Sequence, residues 1–398
     1  MAGFLYRQLA KASNNGSVRP GQAISVKVDL ALTHDGSGPA VLKLLKQGGR
    51  TPADSSRVVV TLDHCFPAPT VKDREFHREI DEFAGRHNII LFKNGEGVLH
   101  QVVAEEESLW PGMIIVGADG HVSTSGAFGA IALSLEPAPF VEAVVEGWHR
   151  MSVPEQVVIS IDGHIDPRIM ARDVALHVAR EYGKSLRGKA VLLTGGTIDA
   201  MNISQKMSLC NFLPETGAAT ALVLPQGEQE PVDIHLSAED LEPMLAIPGL
   251  PLAIDRAGSC AGKKITAAIA GGCSSGRLDD MQVIAGVLAK NEVHPDVTFI
   301  ITPASRSVLG SMDRMDLSAV LRNSGAVILP PGCGPCPGNH FGVLSDGDVA
   351  ITTTVRNTPG RIGAAGARIY LASPLTVALS AVHGAITVAE QQPNHPSG

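Results

Sequence analysis

The chain is poor in aromatic residues, cysteine, basic runs and long apolar stretches. Phe, Trp and Tyr together make up 4% of the 398 residues, set against 42 Gly and 26 Pro. That balance favours many tight turns and close backbone approaches over long helical bundles. Six cysteines are too few for a disulfide framework at this length. No Lys/Arg run of the kind that binds nucleic acid or anionic membrane occurs, and the net charge is −8. The N-terminal M-A-G-F-L-Y-R-Q-L-A-K-A-S-N-N holds no apolar core of signal-peptide length. Stretches such as V-L-L-T-G-G and L-A-I-P-G-L-P-L-A-I are short or broken by Pro and Gly, so none spans a bilayer. These absences describe a soluble, cytoplasmic protein with no nucleic-acid or membrane partner, and neither a low-complexity tract nor a fixed-period repeat interrupts it.

Hydrophobic residues make up 44% of the chain, ample for two or three packed cores. Short β-branched runs alternate with amphipathic Ala- and Leu-rich segments, a pattern that predicts an α/β fold. Strands are expected at 58–62, 88–92, 113–116, 156–161, 190–193, 298–302, 326–329 and 349–353. Helices are expected at 39–47, 71–86, 171–182, 237–246, 278–290 and 315–323. Composition shifts near 149–155 and 258–264 are candidate linkers.

Three cysteines stand among Gly and Pro: Cys273 in A-G-G-C-S-S-G-R-L-D-D-M, and Cys333 and Cys336 in L-P-P-G-C-G-P-C-P-G-N-H. Thiolates suit an iron–sulfur cluster or zinc. Three of them would leave a four-metal cluster one protein ligand short, and an open metal position can act as a Lewis acid. A zinc knuckle would want a second ligand pair at short spacing, and only Cys273 is offered. A redox C-x-x-C would normally open a helix, which Pro335 and Pro337 disfavour. Spacing alone leaves cluster, zinc and inert thiols all open.

Polar clusters follow several apolar runs, where loops commonly carry chemistry. Asp63-His64 follows R-V-V-V-T-L, and a carboxylate beside an imidazole can fix its tautomer and make it a general acid near neutral pH. Asp119 and His121 follow M-I-I-V in G-A-D-G-H-V-S-T-S-G, with His100 upstream in G-V-L-H-Q. A solvated loop histidine or helix cap is the plain alternative for each. Asn211 and Glu215, four apart, would share a face of one helical turn, which ordinary capping also explains. Arg356 and Arg361, in T-T-V-R-N-T-P-G-R-I-G, could grip a di- or tricarboxylate or simply pair with surface acids.

Taken together, V-R-P-G-Q, L-T-H-D-G-S-G-P, L-D-H, G-V-L-H-Q, P-G-M-I-I-V-G-A-D-G-H-V-S-T-S-G-A-F-G-A, T-I-D-A-M-N-I-S-Q-K-M-S-L-C-N, the cysteine segments and R-N-T-P-G-R resemble the aconitase superfamily. The likeness is to large subunits of the 3-isopropylmalate dehydratase and homoaconitase kind, and runs nearly end to end. It implies three α/β domains, at 1–152, 153–263 and 264–398, packed around a 4Fe-4S cluster held by Cys273, Cys333 and Cys336. The fourth iron would bind the substrate's hydroxyl and a carboxylate. His64, oriented by Asp63, would protonate the departing hydroxyl, while His100, Asp119 and His121 surround the substrate. Asn211 and Glu215 match positions near the labile iron, and Arg356 and Arg361 match carboxylate-binding arginines. The implied reaction removes water from a small hydroxy-dicarboxylate and often adds it back at the neighbouring carbon.

Departures from the family pattern accompany the likeness. Gly120 stands where the family commonly has Ser, Ser274-Ser275 where it has Thr-Asn, and Val355 where it has Asn. Nor does the G-S-S-R-type loop of the mobile C-terminal swivel domain occur, so that domain is expected from a separate small subunit. Other expectations keep the cysteines but differ in function: homoaconitase, 2,3-dimethylmalate dehydratase or a related hydratase of an unsaturated diacid, an iron–sulfur sensor binding RNA without its cluster, or a zinc-stabilised binding protein. The acidic charge weighs against the sensor.

Overall fold

The computed structural model describes residues 3–390 apart from 250–251 and 339. Three largely parallel sheets dominate. In the first, five parallel strands run in the order Ile90–Phe92, Val58–Thr61, Leu30–His34, Ile114–Gly117, Ile131–Ser134. Val58 and Val60 pack on one face with residues of helices Gly38–Gln47, Val71–His87 and Pro137–Glu146. Val59 and Ile115 pack on the other with Leu99 and Val103 of helix Leu99–Glu106. Covering both faces demands unbroken apolar strands, which is why V-V-V and I-I-V read as they do.

The second sheet is parallel in the order Thr220–Val223, Ala190–Thr194, Gln156–Asp162, Ile234–Ser237. The third has seven strands. Five are parallel, from Arg368–Ala372 through Val349–Thr352, Ala267–Gly271 and Thr298–Thr302 to Val327–Ile328, and Met244–Ala246 and Ile254–Arg256 extend one edge antiparallel. One apolar core runs between them, joining Ile159, Ile161 and Val191 to Ile269, Ile300 and Ile369. A short antiparallel pair, Ala23–Lys27 with Trp148–Ser152, completes the sheets. The third sheet takes strands from both sides of 263–264. Among the described residues no helix is long and apolar enough to cross a membrane.

One expected element is wrong in kind. Residues 237–246 form no α-helix but a single 3-10 turn, Ala238–Asp240, and then the strand Met244–Ala246. Pro243 disfavours helical dihedrals at the preceding residue. Leu245 is fully buried and pairs with both Asp255 and Ala372, so tertiary pairing overrides the local helical pattern.

Two fully buried arginines lie behind the Cys273 segment. Arg172 sits 4.8 Å from the Phe212 ring centroid and donates to the Thr353 carbonyl at 3.1 Å. Arg277 donates to the Cys273 carbonyl at 2.8 Å. Burial pushes the neighbouring Asp173 and Asp280 carboxyls up to about 6 and about 7. Both start near 3.8 in the unfolded chain, so between about pH 4 and 7 the folded state holds the extra protons and stability falls as pH rises. Urea titrations at about pH 5 and about pH 8 should show that loss, and Asp280→Asn should shrink it. An equal loss in the variant would assign the effect elsewhere.

Candidate active site

Open α/β sheets bind ligands beyond the carboxyl ends of their parallel strands, and here two sheets bring those ends together. His34 closes one strand, Asp63-His64 follow the next, and Ala118-Asp119 follow a third, all in the first sheet. Cys273 follows Ala267–Gly271, Arg356 follows Val349–Thr352 and Cys333 follows Val327–Ile328, all in the third. Between them lies a cavity of about 270 Å³ lined by Asp63, His64, His100, Asp119, His121, Cys273, Cys333, Cys336, Arg356 and Arg361. Asn211 and Glu215, from the second sheet's helix Ile203–Phe212 and the 3-10 turn Leu213–Thr216, approach it from behind.

The His64 Nδ1 lies 2.6 Å from Asp63 Oδ1. The other Asp63 oxygen accepts the Leu99 N–H at 2.7 Å, so the carboxylate is held from two sides. Burial alone would discharge the His64 imidazolium; the Asp63 carboxylate against it, with Asp35 and Asp119 further off, overrides this and raises it to about 9. His64 is therefore a charged acid at neutral pH, its Nε2 3.8 Å from Cys333 Sγ.

Asp119 is a hub. It meets His100 Nε2 at 2.6 Å and His34 Nε2 at 2.9 Å, and accepts the His121 N–H at 2.6 Å. Burial opposes its charge, but His100 and His34 hold it well below the usual carboxylate range. With Nε2 so engaged, the buried His100 Nδ1 has no partner among the described residues. His121 Nε2 contacts Glu215 Oε1 at 3.2 Å, and Arg356 Nε donates to both Glu215 oxygens at 2.9 and 3.0 Å. Burial would raise Glu215; its two hydrogen-bonded cations hold it down to about 2.

The thiols receive donors of their own. Asn211 Nδ2 lies 3.6 Å from Cys273 Sγ and Arg361 Nη2 lies 3.2 Å from Cys336 Sγ. Cys65, Cys210 and Cys260 lie outside the cavity lining and are free thiols.

His34 and Asp35 were given no role on sequence, although both stand in the quoted L-T-H-D-G-S-G-P. Asp35 is buried and accepts the backbone N–H groups of Asp63, His64 and Cys65 and contacts His77 Nε2, so it builds the turn that presents His64. The signal was available: like Asp63-His64, this His-Asp pair ends an apolar run.

Comparison with known proteins gives the family. The aconitase family (aconitate hydratase) model matches residues 7–230 and 235–384. The chain belongs to the aconitase family. The 3-isopropylmalate dehydratase large subunit 2 of Methanopyrus kandleri is 38% identical, covering 92% of this chain and 94% of that protein. The probable methanogen homoaconitase large subunit of Methanothermobacter thermautotrophicus is 36% identical over 96% of each. The homoaconitase large subunit of Thermus thermophilus is 34% identical over 94% of each. Among solved structures, holo-form Thermococcus kodakaraensis aconitase X has a TM-score of 0.51, 14% identity and 84% coverage of each chain, a likeness of fold alone.

Aconitase-family proteins generally bind a 4Fe-4S cluster, and the residues present here fit one. Three thiols converge on one buried cavity. Burial and the negative neighbours Asp63, Cys273 and Cys336 push the Cys333 thiol well up, so three thiolates would coexist only with positive charge among them. Of the departures, Gly120, Ser274 and Val355 line the cavity and Ser275 lies outside its lining. Val355 is buried, and the buried Ser275 Oγ has no partner among the described residues. At Gly120 a Cβ would stand 2.5 Å from Arg356 Nη2, so the missing side chain is where the guanidinium now lies.

Proposed function

We propose that the chain is the cluster-binding large subunit of a hydro-lyase that moves water on and off a small hydroxy-dicarboxylate. A 3-isopropylmalate-type substrate is the first choice and a homoaconitase-type substrate the second. One observation carries the reading: a charged acid, three thiols and two guanidiniums face one cavity in a chain of the aconitase family.

Cys273, Cys333 and Cys336 would hold the cluster, which when bound supplies a Lewis-acidic iron with a position free for substrate. Arg356 and Arg361 take the substrate's carboxylates. His64 gives its Nε2 proton to the leaving hydroxyl, which departs as water as the C–O bond breaks, and Asp63 keeps the ring aligned. His100 Nδ1 and His121 orient water and the hydroxyl group. In the reverse direction His64 takes the proton back. The base for the carbon-bound proton is assigned to a separate small subunit.

The test is turnover. The anaerobically prepared, iron-loaded chain, assembled with a co-expressed small subunit, should form an enoate from at least one branched hydroxy-dicarboxylate, whereas the chain alone should turn over little. No turnover of any such acid by the iron-loaded assembly would refute the reading.

The Gly120 contact yields a narrower expectation. Gly120→Ser would displace Arg356 and loosen its two-pronged hold on Glu215. KM should rise roughly tenfold, about 1.4 kcal/mol of lost binding, with kcat changed less than about threefold. An unchanged KM would remove Arg356 from the carboxylate subsite.

A further inference from the structure

His34 is committed at both ring nitrogens. Its Nδ1 accepts the backbone N–H groups of Gly36 at 3.0 Å and Ser37 at 3.3 Å. A ring nitrogen that accepts N–H carries a lone pair, so the proton sits on Nε2 and is donated to Asp119 Oδ2 at 2.9 Å. The loop closes this tightly because residue 36 has no side chain: a Cβ there would lie 2.9 Å from His34 Nδ1 and 3.0 Å from His64 Cδ2. His34 then lies flat on His64, ring centroids 3.9 Å apart and planes 10° from parallel.

The Nδ1 contact with Asp63 at 2.6 Å fixes one end of the His64 ring and the long 3.8 Å contact of Nε2 with Cys333 Sγ touches the other, which leaves the ring free to tilt about the line joining them. A contact on the ring face is needed to set the plane, and His34 supplies it.

We infer that His34 is a positioning residue for the acid: held in one tautomer by the Gly36 loop and Asp119, it fixes the plane in which His64 presents Nε2 to the cavity. An aromatic face against an imidazolium is also favourable in itself. The inference rests on the hydro-lyase reading for what His64 does with its proton; the locking of His34 stands apart from it.

Two measurements test this separately. In the iron-free, full-length chain carrying ¹⁵N-labelled histidine, the resonances lost in His34→Gln identify that ring. They should show a single tautomer, with Nδ1 bare and Nε2 protonated. In the assembled, iron-loaded enzyme, His34→Gln keeps a donor for Asp119 but loses the stacking face, and His34→Phe does the reverse. The glutamine variant should lose kcat by up to about 100-fold with KM within about threefold, and phenylalanine should recover part of that loss. A protonated Nδ1 or a tautomer mixture would overturn the locking, and an unchanged kcat in His34→Gln would overturn the positioning role. If the wild-type assembly fails to turn over, the proposed function falls and the NMR result still decides the tautomer.

Discussion

Replacing His64 with Gln should lower kcat of the assembled enzyme by about 100- to 10,000-fold, the range expected for loss of a positioned general acid. The reason lies in its surroundings. Asp63 is buried and held by Leu99, so it can keep a proton on His64 in a cavity where burial would otherwise remove it. Glutamine fills much of the same space and can hydrogen-bond but cannot give up a proton, so KM should move little. Asp63→Asn should fall in the same direction with a different signature: the imidazolium loses its main support, and the alkaline limb of the pH–rate profile, set by deprotonation of His64, moves from about 9 to lower pH. Steady-state kinetics across pH on both variants checks this. A His64→Gln enzyme within about threefold of wild type would put the acid elsewhere.

The second large effect is on the metal. Cys333→Ala removes a proposed ligand whose backbone N–H is already tied to the Asp63 carbonyl at 3.0 Å, so the loop should survive while the cluster should not. Iron should drop from about four per chain to well under one after identical reconstitution, and activity should fall below about a thousandth of wild type. Cys65→Ala is the matching control. Burial and the nearby Asp35 push its thiol up to about 12, and it lies outside the cavity lining, so iron content should be unchanged. Iron loss in Cys65→Ala with retention in Cys333→Ala would reverse the ligand assignment.

Much of this site was legible because several of its chemical groups follow directly on apolar strands. R-V-V-V-T-L before Asp63-His64 and M-I-I-V before Asp119 announce both the strand and the place where its loop meets a ligand. What stayed hidden depended on contacts across chain distances that local pattern does not encode. His34 gains its meaning only when a parallel register lays its strand between those of Val58–Thr61 and Ile114–Gly117, setting its ring against His64 and its Nε2 on Asp119. Glu215 reads on sequence as a helix-end acid; in space it bridges His121 and Arg356, 94 and 141 positions away. The strand Met244–Ala246 was masked by a helix-like composition that pairing with Asp255 and Ala372 overrides. Gly120 is a departure without a visible reason in sequence, and the Arg356 guanidinium occupying its space supplies one.

The central claim is that Cys273, Cys333 and Cys336 hold an iron–sulfur cluster at the floor of this cavity. Its most direct test is a visible absorption spectrum of the anaerobically purified chain, with iron and zinc assayed on the same sample. Broad visible absorption that bleaches in air, with about four irons per chain and no stoichiometric zinc, is the predicted result. A colourless chain carrying zinc, or no metal even after anaerobic reconstitution, would contradict the claim and the proposed chemistry with it.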